Sequence, residues 1–462
     1  MHRNESGRIL TMALIAIVLA GGLGFLSLAA FRAGSTPQIA AEPAGGSIGR
    51  KTAVTVTITE PARGLSRALV EFVQGDRVEK LAEKSYAPPP PWSFGGSGTG
   101  SETLTLDIGR DAIKGLKAGP ATLRVTAEGT PAWLRHPAPA VKELAFEVRL
   151  TPPSLGVTST FHFARQGGAE AVVYRVGDSS VRDGVQAGEA WSPGYPLPGA
   201  GKEDRFALFA VPYDLADPSS VKLTAADDVD NESQVTFIDQ FTARKPFEGT
   251  INLTDTFLNK VVPAILSQTP EMADAGGLLE NFLSINRDLR KANAAALVEL
   301  ASKSKQQFLW SRPFLPMPNA KVMAPFAEAR TYVYQGRAVD HQTHLGFDLA
   351  VTKAVAVPAS NDGVVALARF FGIYGNTVVV DHGYGLQSLY AHLSSIDVKE
   401  GQEVKRGDTL GRTGDTGLAG GDHLHFSILL AGQPVNPQEW WDAHWIRDRV
   451  ARKLGGALRF ED

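Results

Sequence analysis

The stretch from Thr52 to Thr59, T-A-V-T-V-T-I-T, alternates with period two, with Val54, Val56 and Ile58 at every second position and Thr55, Thr57 and Thr59 following them. Period two puts the two sets of side chains on opposite faces of a strand, whereas a helix would scatter both sets around its axis. The same texture returns in A-L-V-E-F-V, L-T-L-D-I, A-T-L-R-V-T and L-A-F-E-V-R-L, separated by turn residues. Short strands at this spacing predict an antiparallel, immunoglobulin-like sandwich over 51–150. A second set, V-T-S-T-F-H-F, A-V-V-Y-R-V, F-A-L-F-A-V-P and Q-V-T-F, predicts another over 151–250. The expected fold class is mainly β.

Two other textures interrupt the strands. Ile9 to Phe31 is a run of 23 residues without a charge. At ~1.5 Å per residue it spans roughly 34 Å, enough for a hydrocarbon core of about 30 Å. It is long for the apolar region of a cleaved signal peptide, and A-F-R-A-G is a poor cleavage site, so 1–33 reads as an uncleaved anchor rather than a signal or a core helix. Arg3 and Arg8 before the run and Arg32 after it give little charge asymmetry for orientation. Residues 34–50, rich in Ala, Pro, Gly and Ser, read as a linker. From Leu253 the period becomes helical. Leu253 to Leu266 contains Pro263, expected as a kink or boundary. Leu278, Phe282, Ile285, Leu289, Ala292 and Ala296 form one apolar stripe. Residues 251–312 are therefore expected as a helical connector.

Composition narrows the class of partner. With 462 residues and 43% hydrophobic content, the chain is long enough for several domains. A net charge of −3 gives no basic surface for nucleic acid. The absence of cysteine removes disulfides and thiolate metal sites. The Ala87 to Gly96 stretch, A-P-P-P-P-W-S-F-G-G, reads as a rigid loop, with a polyproline ligand as the other reading. Ala225 to Asn231, A-A-D-D-V-D-N, reads as a hairpin turn; its carboxylates suit calcium, but the glycine and distal glutamate of a calcium loop are missing. His136 and His162, in these β regions, read as structural or surface residues. Gly407 to Gly417 suits tight β corners and has no following helix of the phosphate-binding kind.

The chemistry gathers near the C-terminus. Of ten histidines, seven (His341, His344, His382, His392, His423, His425 and His444) lie beyond residue 340. His423 and His425 are two apart in an alternating strand and share a face. His344 and Asp348 are four apart, about 13 Å on a straight strand, so they can meet at one metal only if Gly346 bends the chain. Two histidines and an aspartate with an open fourth position make a catalytic zinc site, where the ion acidifies water and polarises a carbonyl. No H-E-x-x-H helix supplies a base, which leaves His392 and His423 as the natural proton carriers. His341 is a weaker alternative ligand, and His382 reads as structural or rim-exposed.

H-L-G-F-D at His344, the G-N-T-V-V-V-D-H-G-Y-G-L-Q-S-L-Y-A-H-L run ending beyond His392, V-K-E-G-Q-E-V-K-R-G-D-T-L-G and G-D-H-L-H-F together resemble the lysostaphin-type (LytM-like) zinc metallopeptidases. The resemblance covers about Pro325 to Pro437. It implies a small antiparallel β core with an open groove; the peptidase domain is expected over 313–445 and a C-terminal tail over 446–462. It implies that His344, Asp348 and His425 hold one zinc ion, that His392 and His423 are the catalytic histidines, and that Tyr374 and Asn376 match a groove-wall position. Ser427 stands where many relatives have glutamate, and Gly420-Gly421-Asp422 where many have Thr-Gly-Pro. The activity implied is hydrolysis of peptide crosslinks in bacterial peptidoglycan, with the catalytic part outside the cytoplasm and the inner membrane holding the N-terminal helix. The alternative is a non-enzymatic envelope regulator or scaffold that activates another cell-wall hydrolase and binds an envelope partner through its β domains.

Overall fold

The structure is a computed structural model, and it describes residues 5–90, 93 and 98–461. Most of Trp92 to Gly96, within the proline-rich stretch, lies outside the described residues. The chain divides into two compact units, 1–152 with 228–231, and 153–227 with 232–462.

The first unit begins with the helix Glu5–Phe31, of which Arg8–Phe31 is long and apolar enough to cross a membrane. Its two sheets follow the alternation read from the sequence. Thr52–Thr59 lies between Gln38–Glu42 and Ser101–Ile108 in one sheet; Leu65–Gln74 and Gly119–Gly129 are central in a five-stranded second sheet. Val54, Val56, Ile58, Val70, Phe72, Leu123 and Val125 share the core between them.

In the second unit, Ala169–Val176 and Asp204–Ala210 pair in one four-stranded sheet, and Arg182–Ala187 and Val221–Ala226 in another. Val221–Ala226 and Glu232–Thr236 form the hairpin expected around the acidic turn. The run A-E-A-V-V-Y-R-V lacks alternation because both of its faces are buried. Val172, Tyr174 and Val176 face the sandwich core. Ala169, Ala171 and Val173, with Phe206, Leu208 and Ala210, join the core of the C-terminal domain. Phe206 meets Tyr384 edge-on at 4.9 Å and Phe308 at 5.5 Å.

The connector is helical over Asp255–Leu266, capped by the Thr254 hydroxyl, and over Leu278–Ser302, with a one-turn π-bulge at Ile285–Leu289. Pro263 lies inside the first helix rather than ending it. The C-terminal domain carries the site on strands β1 (Lys321–Ala324), β2 (Glu328–Tyr334), β3 (Arg337–His344), β4 (Phe347–Ala350), β5 (Gly363–Phe370), β6 (Asn376–Gly383), β7 (Leu386–Leu393) and β8 (Leu424–Leu430). The main sheet runs β1-β4-β8-β7-β6-β5 and is antiparallel throughout. β2 and β3 form a hairpin, and Phe247–Leu253 adds to β2 in parallel.

Candidate metal centre

β8 lies between β4 and β7, and this order assembles the cluster. Asp348 on β4 is paired directly with His425 on β8, so both side chains stand on one face. His344 ends β3, and the two-residue step through Leu345 and Gly346 returns the chain into β4. A Cβ on Gly346 would lie 2.5 Å from His425 Nε2, so this position must be glycine for the ring to pack against the backbone. His392 follows Ala391, the cross-strand partner of His425. A regular strand would turn it to the other face. Its backbone instead takes φ 62°, a conformation rare outside glycine, and the ring stands 5.8 Å from that of His425.

His344, Asp348 and His425 offer three donor atoms that lie within 4.8 Å of one another and are all buried. His344 Nε2 is 2.9 Å from both Asp348 Oδ1 and His425 Nδ1, and His425 Nδ1 is 3.1 Å from the same carboxylate oxygen. Donors at ~2.0–2.1 Å from a tetrahedral ion stand roughly 3.3 Å apart, so this triangle suits a small divalent cation. The outer partners fix the tautomers. His344 Nδ1 donates to the Pro325 carbonyl at 3.1 Å, which leaves the Nε2 lone pair facing the centre. His425 Nε2 is 3.1 Å from Ser427 Oγ, which itself donates to the Leu345 carbonyl and therefore accepts from the ring. The lone pair of His425 is then on Nδ1, facing Asp348. Arg330, on β2, donates to Asp348 Oδ2 at 2.8 Å and to Glu328 at 2.8 Å, occupying the carboxylate oxygen turned away from the histidines.

His392 and His423 stand beside this triad with ring centres 4.9 Å apart. Each donates from Nδ1 to a backbone carbonyl at 2.8 Å, Thr416 for His392 and Gly421 for His423, so both present Nε2 inward. His423 Nε2 is 3.4 Å from Asp348 Oδ1. Burial works against charge on all of these groups, and their neighbours decide the outcome. For Asp348, the hydrogen bonds from His344, His423 and His425 outweigh burial and hold the carboxyl well below its usual range. For His423, the Asp348 carboxylate outweighs burial and raises the pKa. His392 is held well below its usual range by burial and by the neighbouring His423 and His425. Burial first, with His344 close by, brings His425 down to about 4. One histidine of the cluster is thus biased toward holding a proton and another toward lacking it.

These side chains line one cavity of about 440 Å³. Tyr374 lines it too, its ring 5.6 Å from that of His425 and stacked on Phe371. Asn376 does not: beyond the left-handed turn at Gly375 it lines a separate cleft with Lys260, Asp415 and Thr416, its backbone N–H donating to Thr416 Oγ1 at 2.9 Å. Further lining comes from outside the motif region, from Gly249 to Asn252 on the strand added to β2 and from Phe257, Phe282 and Arg290 on the connector helices. His341 is exposed, against Thr331, and stands apart from the triad. His382 is fully buried rather than at a rim, bonded to the Asp362 carbonyl and Ser388 Oγ. Sequence reasoning had singled out neither Arg330 nor this added lining. The only trace of Arg330 is a basic residue two positions from Glu328 on a strand.

A buried His-Asp-His triad flanked by two inward-facing imidazoles, on an antiparallel sheet and lining a cavity, is an arrangement that could hold a divalent metal ion. Residues 342–437 match Peptidase family M23, and the chain carries a LytM-like domain of that family. Over 124 residues it is 37% identical to the DD-carboxypeptidase/endopeptidase Mpg of Neisseria meningitidis, covering 26% of this chain and 27% of that protein. Over 93 residues it is 44% identical to the peptidoglycan DD-endopeptidase ShyA of Vibrio cholerae, covering 20% and 22%. Over 95 residues it is 39% identical to the murein hydrolase activator EnvC of Escherichia coli, covering 21% and 23%. The chain spans about a quarter of the length of these curated relatives. A solved peptidase M23 from Pseudomonas aeruginosa aligns over 59% of this chain and 92% of its own, at 21% identity and a TM-score of 0.35.

Proposed function

We propose that this chain is a membrane-anchored zinc endopeptidase that hydrolyses peptide crosslinks of bacterial peptidoglycan. The observation that carries the reading is the convergence of His344 Nε2, Asp348 Oδ1 and His425 Nδ1 within 4.8 Å, each ligand residue tied elsewhere to the protein. When bound there, zinc would acidify a water and polarise the scissile carbonyl. The chain's own residues do the rest. His392 and His423, each tied at Nδ1 to a backbone carbonyl and presenting Nε2 inward, accept the proton of the attacking water, hydrogen-bond the oxyanion and protonate the departing amine. The Pro325, Thr416 and Gly421 carbonyls hold the three rings they accept from, so little reorganisation accompanies the reaction. Tyr374 and the connector residues enclose the cavity and favour an extended peptide over bulk water.

The relatives named as peptidoglycan DD-endopeptidases support the substrate class. The long N-terminal apolar helix supports a single-pass anchor, and a peptidoglycan substrate requires the site to face away from the cytoplasm. The similarity to a murein hydrolase activator favours a second reading, in which the domain binds and stimulates another hydrolase. His425→Ala separates the two. It should remove bound zinc and abolish release of soluble muropeptides from purified sacculi. Undiminished release by a zinc-free variant would refute the endopeptidase assignment.

A further inference from the structure

The C-terminal end of the apolar helix is held by the first sandwich. The last carbonyls of any helix lack partners within it, and an unpaired carbonyl is costly near hydrocarbon. Here a loop of the sandwich supplies the donors. Trp133 N–H donates to the Ala29 carbonyl at 3.1 Å and Leu134 N–H to the Ala30 carbonyl at 2.8 Å. Arg63 Nη1 caps the Arg32 carbonyl at 2.7 Å, and Gly34 and Ser35 continue directly onto Thr130 and Glu60. Ala29 is buried in this junction.

The loop's backbone therefore lies level with the helix's final turn, while its side chains point away from protein. Trp133 is 65% and Leu134 70% exposed, beside Phe31 at 57%. Arg32 and the exposed Arg135 flank them. A span of 24 residues, Arg8–Phe31, covers about 36 Å, so its last turn falls where a hydrocarbon core of about 30 Å meets the headgroups. Tryptophan and leucine beside arginine is the composition that settles at that level: rings and aliphatic chains under the headgroups, guanidinium among the phosphates.

We propose that the Trp133–Leu134 loop is a second membrane contact, immersed in the phospholipid interface of the bilayer that the helix crosses. It fixes the first sandwich against the membrane surface instead of leaving it on a free tether. The proposal rests on the membrane-spanning reading of the helix, and its test separates the two. The chain has no cysteine, so single cysteines report without background. Leu134→Cys, Phe31→Cys and Ile17→Cys would each be nitroxide-labelled in the full chain, reconstituted in bilayers of phosphatidylcholine and phosphatidylglycerol. Collision rates with oxygen and with a water-soluble nickel chelate would then be compared. The expected result is oxygen exceeding nickel at 134, close to the ratio at 31, with 17 deeper than both. A water-like ratio at 134 with a hydrocarbon-like ratio at 17 overturns the second contact while leaving the anchor intact. A water-like ratio at 17 overturns the anchor and this proposal with it.

Discussion

At the residue scale, the candidate centre depends on the groups that hold the His-Asp-His triad as much as on the triad itself. Arg330 is the clearest case, because it occupies the one Asp348 oxygen that does not face the histidines. Without it, a buried carboxylate would lose its charge partner and its orientation. Arg330→Ala should weaken zinc binding by about 10–100-fold, the usual cost of removing an outer-shell partner, as measured by competition with a chromogenic chelator. Arg330→Lys, which keeps the charge but not the fork, should recover only part of that loss. Equal affinity in all three proteins would show that Glu328 and Asp348 do not need the arginine. The convergence of His344, Asp348 and His425 was legible because their spacing is tied to chemistry: H-x-x-x-D needs a glycine to close, and H-x-H shares a face. Arg330 was not, since an arginine on a strand carries no mark of the partner it meets 18 residues later.

At the element scale, Glu439 links the second sandwich to the short helix Pro437–Trp441. Its carboxyl accepts from the Ala169 N–H at 2.8 Å in a buried setting, with Glu170, Arg165 and Arg449 as the charged neighbours. Burial, with Glu170 adding to it, raises its pKa from 4.5 to about 8, while Ala169, Arg165 and Arg449 act the other way. The folded state then holds a proton that the unfolded chain has released. Stability from this group is full below about pH 4.5 and declines as pH rises toward about 8. Glu439→Gln keeps the acceptor for Ala169 and should flatten the fall in Tm across that window. A slope unchanged from wild type would mean that the carboxyl is ionised in the fold. Periodicity revealed the connector helices well: the stripe from Leu278 to Ala296 is a single helix with a π-bulge. It could not reveal that Phe247–Leu253 pairs in parallel with β2, because a strand's partner 80 residues away leaves no local pattern.

For the molecule as a whole, the C-terminal domain does not close its own core. Ala171, Phe206 and Leu208 of the second sandwich are buried with Tyr384, Leu386, Leu430 and Trp440. A fragment beginning at Pro313 should therefore expose this apolar face and melt lower than one beginning at Pro153, or aggregate. Within the full chain, Phe206→Ala should cost about 3–5 kcal/mol. Equal melting of the two fragments would make the sandwich a passive neighbour. Sequence texture identified the chain as mainly β structure, with alternating strands in both the first and the second half. Shared burial was hidden because A-E-A-V-V-Y-R-V reads equally well as a central strand of one sandwich.

Digestion of purified sacculi by the full chain, with zinc content measured on the same sample, tests the central claim most directly. The account predicts about one zinc per chain and conversion of crosslinked muropeptide dimers to monomers by mass spectrometry, with both lost in His425→Ala. A zinc-loaded wild-type protein that leaves the dimers intact would contradict it.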